Sequence, residues 1–110
     1  MNGKRILFLQ PMDEFNYHGI DEVISSPIRT AILAVLITTE EAEFTFIRDK
    51  VGATDGNISV HLRKLEDHKY VTVKKKFVGR KPVTSYRITG IGREAFEKYI
   101  NKLEKIIKNK

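Results

Sequence analysis

The chemistry open to this chain is narrow. Histidine occurs three times, at His18, His61 and His68, with no spacing that would hold a metal between them. Ser59 and His61 are two apart, which on a helix points them to different sides and leaves the serine without a general base. No cysteine is present, so thiolate ligands, thiol nucleophiles and disulfides are all excluded. HExxH and phosphate-cradling glycine motifs are also missing, and Glu40, Glu41 and Glu43 read as one acidic surface loop. No catalytic residue, metal or cofactor is expected. What remains is hydrogen bonding and positive charge in two short stretches. One runs Thr54, Gly56, Asn57, Ser59, Val60, Arg63, Lys64; the other holds Lys74, Lys76, Arg80, Lys81 and Arg87.

Charge placement separates these stretches from the rest. The net charge is +6, yet residues 1–53 sum to −3, residues 54–87 to +6 and residues 88–110 to +3. A neutral-to-acidic front followed by a sharply basic middle is the electrostatic footprint of a polyanion-binding surface. With 41% hydrophobic and 31% charged residues among 110, the composition suits one folded domain. No run of about 20 apolar residues could span a bilayer. Ile6–Leu9 is too short for a signal segment, so a cytoplasmic protein is expected.

Periodicity supplies the elements that would position those residues. Residues 1–16 have no clean period and read as an arm or short strand ending at Pro11. Tyr17, Ile20, Val23 and Ile24 fall at helical spacing. Ser26-Pro27 then starts a central helix carrying Ile28, Ala31, Ile32, Val35 and Leu36. Thr45 can cap a short helix with Phe46, Ile47 and Val51 inward, closed by Gly52. Thr54 can cap the next, which buries Ile58, Leu62 and Leu65 and runs to His68. Gly56, Val60, Arg63 and Lys64 then face outward, flanked by Asn57 and Ser59. Such a face fits the major groove, where Asn pairs with adenine and Arg with guanine.

The period next changes to two. Val71, Val73 and Phe77 alternate with Thr72, Lys74 and Lys76, and Lys75 is the exception on the inner register, where the strand leaves the core. Gly79–Pro82 is a turn, and Thr84, Tyr86 and Ile88 give the return strand, which makes a hairpin with a basic tip suited to a phosphate backbone or minor groove. Thr89 caps a last helix whose stripe of Phe96, Tyr99, Ile100, Leu103, Ile106 and Ile107 is longer than one small domain requires. Its lysine-bearing other face allows a membrane-surface helix, but packing against a second copy is the simpler account.

Ser26-Pro27-Ile28-Arg29 to Leu36, Phe44-Thr45-Phe46-Ile47, and Asp55-Gly56-Asn57-Ile58-Ser59 through His61-Leu62-Arg63-Lys64-Leu65-Glu66 form an ordered series. With the hairpin Val71 to Ile88 and Gly92 after it, the series resembles winged-helix transcriptional regulators of the broad MarR/ArsR type. It looks closest to the small bacterial and archaeal group built on a bare winged-helix domain. The resemblance covers about residues 20–107. It implies an α+β winged helix-turn-helix: a three-helix core, a two-stranded β wing and additional terminal helices for dimerisation. Residues 17–110 would form this single domain, with a dimerisation helix at about 90–108.

The implied protein is a homodimeric, sequence-specific regulator on double-stranded, pseudo-palindromic DNA. Helix 54–68 would enter the major groove, and wing 77–83 would meet the backbone or minor groove. The implied dimer contacts are Tyr17, Ile20 and Ile24 together with Tyr99, Leu103, Ile106 and Ile107. Thiolate metal sensing does not carry over, and no effector is assigned. Two other readings share the basic wing: a nonspecific architectural DNA-binding protein, and a winged helix used for protein–protein contact.

Overall fold

The computed structural model describes residues 19–108, so residues 1–16 and Tyr17 lie outside the described part. The chain enters through turns. Asp21 accepts hydrogen bonds from the Val23 and Ile24 backbone N–H groups at 2.9 and 3.2 Å, an aspartate-built turn that points Ile24 inward. Ile24 is fully buried in the core, so its expected place in a dimer contact is corrected. Residues 20–26 form turns and bends, not the expected helix: the spacing of Ile20, Val23 and Ile24 reflects one inward residue and its half-buried neighbours.

The first helix, α1 (Pro27–Thr38), starts where the capping signal places it: Ser26 Oγ accepts from the Arg29 N–H, and proline occupies the first turn. Ile32, Leu33 and Leu36 are fully buried, and α1 touches every other helix and the sheet. Each such side chain contributes ~1.5–3 kcal/mol through burial. Ile24, Ala42, Ile47, Ile58, Leu62, Leu65, Val71 and Phe96 complete the same core.

A two-residue strand, β1 (Ala42–Glu43), precedes α2 (Phe44–Val51). It pairs with the return strand of the wing, Ala42 opposite Tyr86 and Glu43 opposite Ser85, so the sheet has three strands where two were expected. That pairing holds Glu43 extended and makes it the N-cap of α2, without a side-chain cap bond. Thr45 is therefore not the cap. The helix starts two residues earlier than a Thr45 cap would allow, so Phe44 packs against the core while Phe46 is 42% exposed. Lys50 Nζ lies 5.6 Å from the Phe46 ring centre. Gly52 ends α2 as expected, with φ 77° and its N–H donating to the Arg48 carbonyl at 2.8 Å.

The third helix, α3 (Asp55–Asp67), runs into the wing strands β2 (Val71–Val78) and β3 (Lys81–Ile88). Lys69, at φ 66°, supplies the left-handed residue after α3. Lys69 and Tyr70 donate their N–H groups back to Glu66 and Leu65. The hairpin closes at Val78 opposite Lys81, so only Gly79 and Arg80 form the loop, and Lys81 and Pro82 belong to the strand. Gly79, at φ 66°, provides the backbone this tight loop needs. The expected inward side chain of Phe77 is instead 73% exposed, because β2 outruns the helices beneath it.

Thr89 ties the wing's base to α4 (Gly90–Lys108): its Oγ1 accepts from the Gly92 N–H at 2.9 Å and donates to the Lys69 carbonyl at 2.7 Å. Gly92 is packed so closely that a Cβ there would sit 2.2 Å from the Tyr70 carbonyl oxygen. Tyr70 in turn donates its hydroxyl to Asp21 Oδ2 at 2.7 Å. Burial, and then Asp21, push its pKa up to about 12.

Candidate nucleic-acid interface

Thr54 Oγ1 accepts from the Asn57 N–H at 3.2 Å and sets the start of α3. Once the helix is capped there, its two sides separate cleanly. Ile58, Leu62 and Leu65 are buried against the core, while Gly56, Asn57, Ser59, Val60, Arg63 and Lys64 are all exposed. Val60 is 66% exposed, an apolar side chain facing water among hydrogen-bonding and cationic neighbours.

Two charged contacts brace α3 from behind. Arg48 of α2 reaches Asp55 Oδ1 with Nη1 and Asp49 Oδ1 with Nε, both at 2.9 Å, so the one acid in the first turn of α3 is paired within the protein. Arg29 of α1 places Nη1 2.8 Å from His61 Nδ1, while its Nε donates to the Val23 carbonyl. A guanidinium only donates, so His61 accepts at Nδ1 and is the neutral tautomer protonated on Nε2. Burial, then the charges of Arg29 and Lys64, hold its pKa below the usual 6.5. His61 is thus a strut between α1 and α3.

The pleat divides the wing's cations between two faces. Cross-strand partners share a face, so Thr72, Lys74, Lys76, Arg87, Ser85, Val83 and the Val78–Lys81 pair point one way. Val71, Val73, Lys75 and Phe77 point the other way with Ile88, Tyr86, Thr84 and Pro82. The second face is the one that meets α3: Ser59, Arg63 and Glu66 line a hollow together with Val73, Lys75 and Tyr86. Lys74, Lys76 and Arg87 therefore lie on the face turned from α3.

Lys76 Nζ is paired with Glu41 Oε2 at 3.1 Å, and the same oxygen accepts from the buried Ser85 hydroxyl at 2.7 Å. These hydrogen bonds, Ser85 first and then Lys76, hold the Glu41 carboxyl below its usual range. Arg80 and Lys81 are exposed at the tip. Lys75 is a cation absent from the expected set. The alternation had already put it on the inner register; only the packing shows that α3 borders that side.

Of the expected dimer residues, Tyr99 is half-buried against the core and Ile20 is half-buried near it, beside α4. Leu103 and Ile106 are half-exposed, and Ile107 is 64% exposed. Among the described residues no cluster could hold a metal ion, and no helix is long and apolar enough to cross a membrane.

A tight two-helix unit followed by a hairpin, over a small antiparallel sheet, defines a winged-helix domain. The winged helix DNA-binding domain family matches residues 28–107, and the chain belongs to this family. An uncharacterised protein of Methanocaldococcus jannaschii is 38% identical over 88 residues, 80% of this chain and 96% of that one. The structure of a transcriptional regulator homologue protein from Pyrococcus horikoshii superposes with a TM-score of 0.81 at 28% identity. That match covers 89% of this chain and 97% of the other. The transcriptional regulator BldR from Sulfolobus solfataricus shares the fold, with a TM-score of 0.60 at 19% identity over 99% of this chain and 84% of its own. The expected winged-helix resemblance is borne out by the family match, and an ArsR family transcriptional regulator shares the fold at 19% identity with a TM-score of 0.54.

Proposed function

We propose that this protein is a sequence-specific, double-stranded-DNA-binding transcriptional regulator acting as a homodimer. The carrying observation is the outward face of α3, where Asn57, Ser59, Val60 and Arg63 stand exposed together on a helix whose other side is buried. In a major groove, Asn57 and Arg63 supply base-reading hydrogen bonds and Val60 an apolar contact for a thymine methyl. Thr54, Gly56 and Lys64 lie within reach of flanking phosphates, and Arg80 and Lys81 carry the wing tip to the backbone or minor groove. The Pyrococcus horikoshii neighbour, a transcriptional regulator homologue protein, supports the transcriptional role.

The exposed end of α4 supports the homodimer. Leu103, Ile106 and Ile107 continue the apolar stripe past the domain's own core, and a second copy covering them would place two α3 helices on a two-fold axis. The test is retention of duplexes from a random pool at fixed salt, followed by sequencing. A dimer that reads sequence enriches a pseudo-palindrome with half-sites about 34–36 Å apart. An unenriched but well-retained pool would replace this reading with nonspecific architectural binding. No retention would remove DNA as the partner.

A further inference from the structure

Lys74, Lys75 and Lys76 are consecutive, yet the pleat gives them different surroundings. Lys74 and Lys76 share a face with Ser85, and Lys76 is already neutralised by Glu41. Lys75 alone turns towards α3. With Ser59 and Tyr86 it borders two hollows: one of about 220 Å³ between α3 and the hairpin, and one of about 430 Å³ where the start of α2 meets β3. Further out on the same face stands Phe77, opposite Pro82 and 73% exposed.

We propose that the cleft between α3 and the wing seats one sugar–phosphate strand, with Lys75 on a phosphate and the Phe77–Pro82 pair against the deoxyribose faces. This rests on the DNA-binding reading above and assigns residues that reading leaves unused. The geometry is that of B-DNA: a single backbone separates the major groove from its neighbouring minor groove. A protein with a helix in one groove and a hairpin reaching the other must straddle that strand. The floor of the straddling cleft therefore meets phosphate and sugar and not base edges.

The chemistry agrees. Lys75 is an exposed ammonium on a flexible stem, and the Ser59 and Tyr86 hydroxyls add neutral donors on either side of it. Burial, with Glu66 behind it, keeps the Tyr86 hydroxyl protonated. Two acids also line these hollows, Glu66 with Arg63 in the smaller and Glu43 in the larger, so the lysine and the hydroxyls carry the attraction for phosphate. Beyond Lys75 the strand carries an aromatic ring into water. Sugars are the apolar part of a nucleic-acid backbone, so this edge matches them as the lysine matches the phosphate.

The four side chains from Lys74 to Phe77 are exposed, so their substitution leaves the fold intact and the melting temperature reports that directly. Binding of the full-length protein to one random-sequence duplex is measured across a salt series for wild type, Lys74→Ala, Lys75→Ala, Lys75→Gln, Lys76→Ala and Phe77→Ala. Both Lys75 variants should lower the slope of log affinity against log salt by about one and weaken all duplexes alike. Lys74→Ala and Lys76→Ala should leave the slope in place. Phe77→Ala should weaken binding roughly five-fold with the slope unchanged. A normal slope for the Lys75 variants, or a loss confined to Lys74→Ala or Lys76→Ala, overturns the cleft assignment while DNA binding stands. Undiminished affinity of Phe77→Ala overturns its sugar contact. A wild-type protein that binds no duplex overturns the DNA reading and the cleft with it.

Discussion

Helix α3 and the wing present the same kind of pattern, one apolar and one polar side, and the protein treats them differently. Along α3 the apolar side is buried from Ile58 to Leu65. Along β2 burial fades from Val71, at 2% exposure, to Phe77 at 73%. The cause is rise per residue. Thirteen helical residues advance about 20 Å, whereas eight strand residues advance about 26 Å. A small helical core spans the first distance and is outrun by the second. Alternation thus reports which side of an element faces the protein, not how far the protein extends beneath it.

That contrast can be broken by substitution. Leu62→Ala should destabilise the fold by about 2–5 kcal/mol in urea unfolding, as expected for a truncation in a filled core. Phe77→Ala should change stability by no more than about 0.5 kcal/mol. Comparable losses at the two sites would mean that the wing packs on something as extensive as the core beneath α3. A smaller effect separates the two helix starts. Thr54→Ala removes an observed cap and should lower stability by about 1 kcal/mol, while Thr45→Ala, which caps nothing, should be close to neutral.

The smallest expected effect concerns His61, the strut behind α3. Its pKa is lowered in the folded protein, so the unfolded chain binds more protons over the window between the two values. The stability this gives is complete above about pH 6.5 and is lost as pH falls through the folded value. The melting temperature of wild type should therefore decline between pH 7.5 and 5 more steeply than that of His61→Gln. A steeper decline for the variant would require a protonated His61 in the native state, at odds with the Arg29 contact.

Local chemistry made much of the fold readable in advance. Ser26-Pro27, Gly52, Thr54 and Thr89 act within a few residues of themselves, and each starts or stops its element as its side chain or backbone dictates. The misreading of α2 has a distant cause. Thr45 and Phe46 lost their expected roles because β1 pairs with β3, more than 40 residues away, and that pairing resets where α2 begins. Ile24 was placed by an aspartate-built turn that periodicity does not register. The outward side of α3 was legible because Ile58, Leu62 and Leu65 fix its orientation alone. The allocation of Lys74, Lys75 and Lys76 to faces depends on which side of the hairpin α3 lies, a fact of packing and not of spacing.

The most direct test of sequence reading by α3 is one pair of affinities for Asn57→Ala, on the preferred duplex and on random duplex, at one salt concentration. The substitution leaves the Thr54 cap in place, because the cap bond uses the Asn57 backbone N–H. If Asn57 reads a base, the variant should lose about 1–3 kcal/mol on the preferred site and much less on random DNA. Equal losses on both would make Asn57 a backbone contact and contradict base reading at this position.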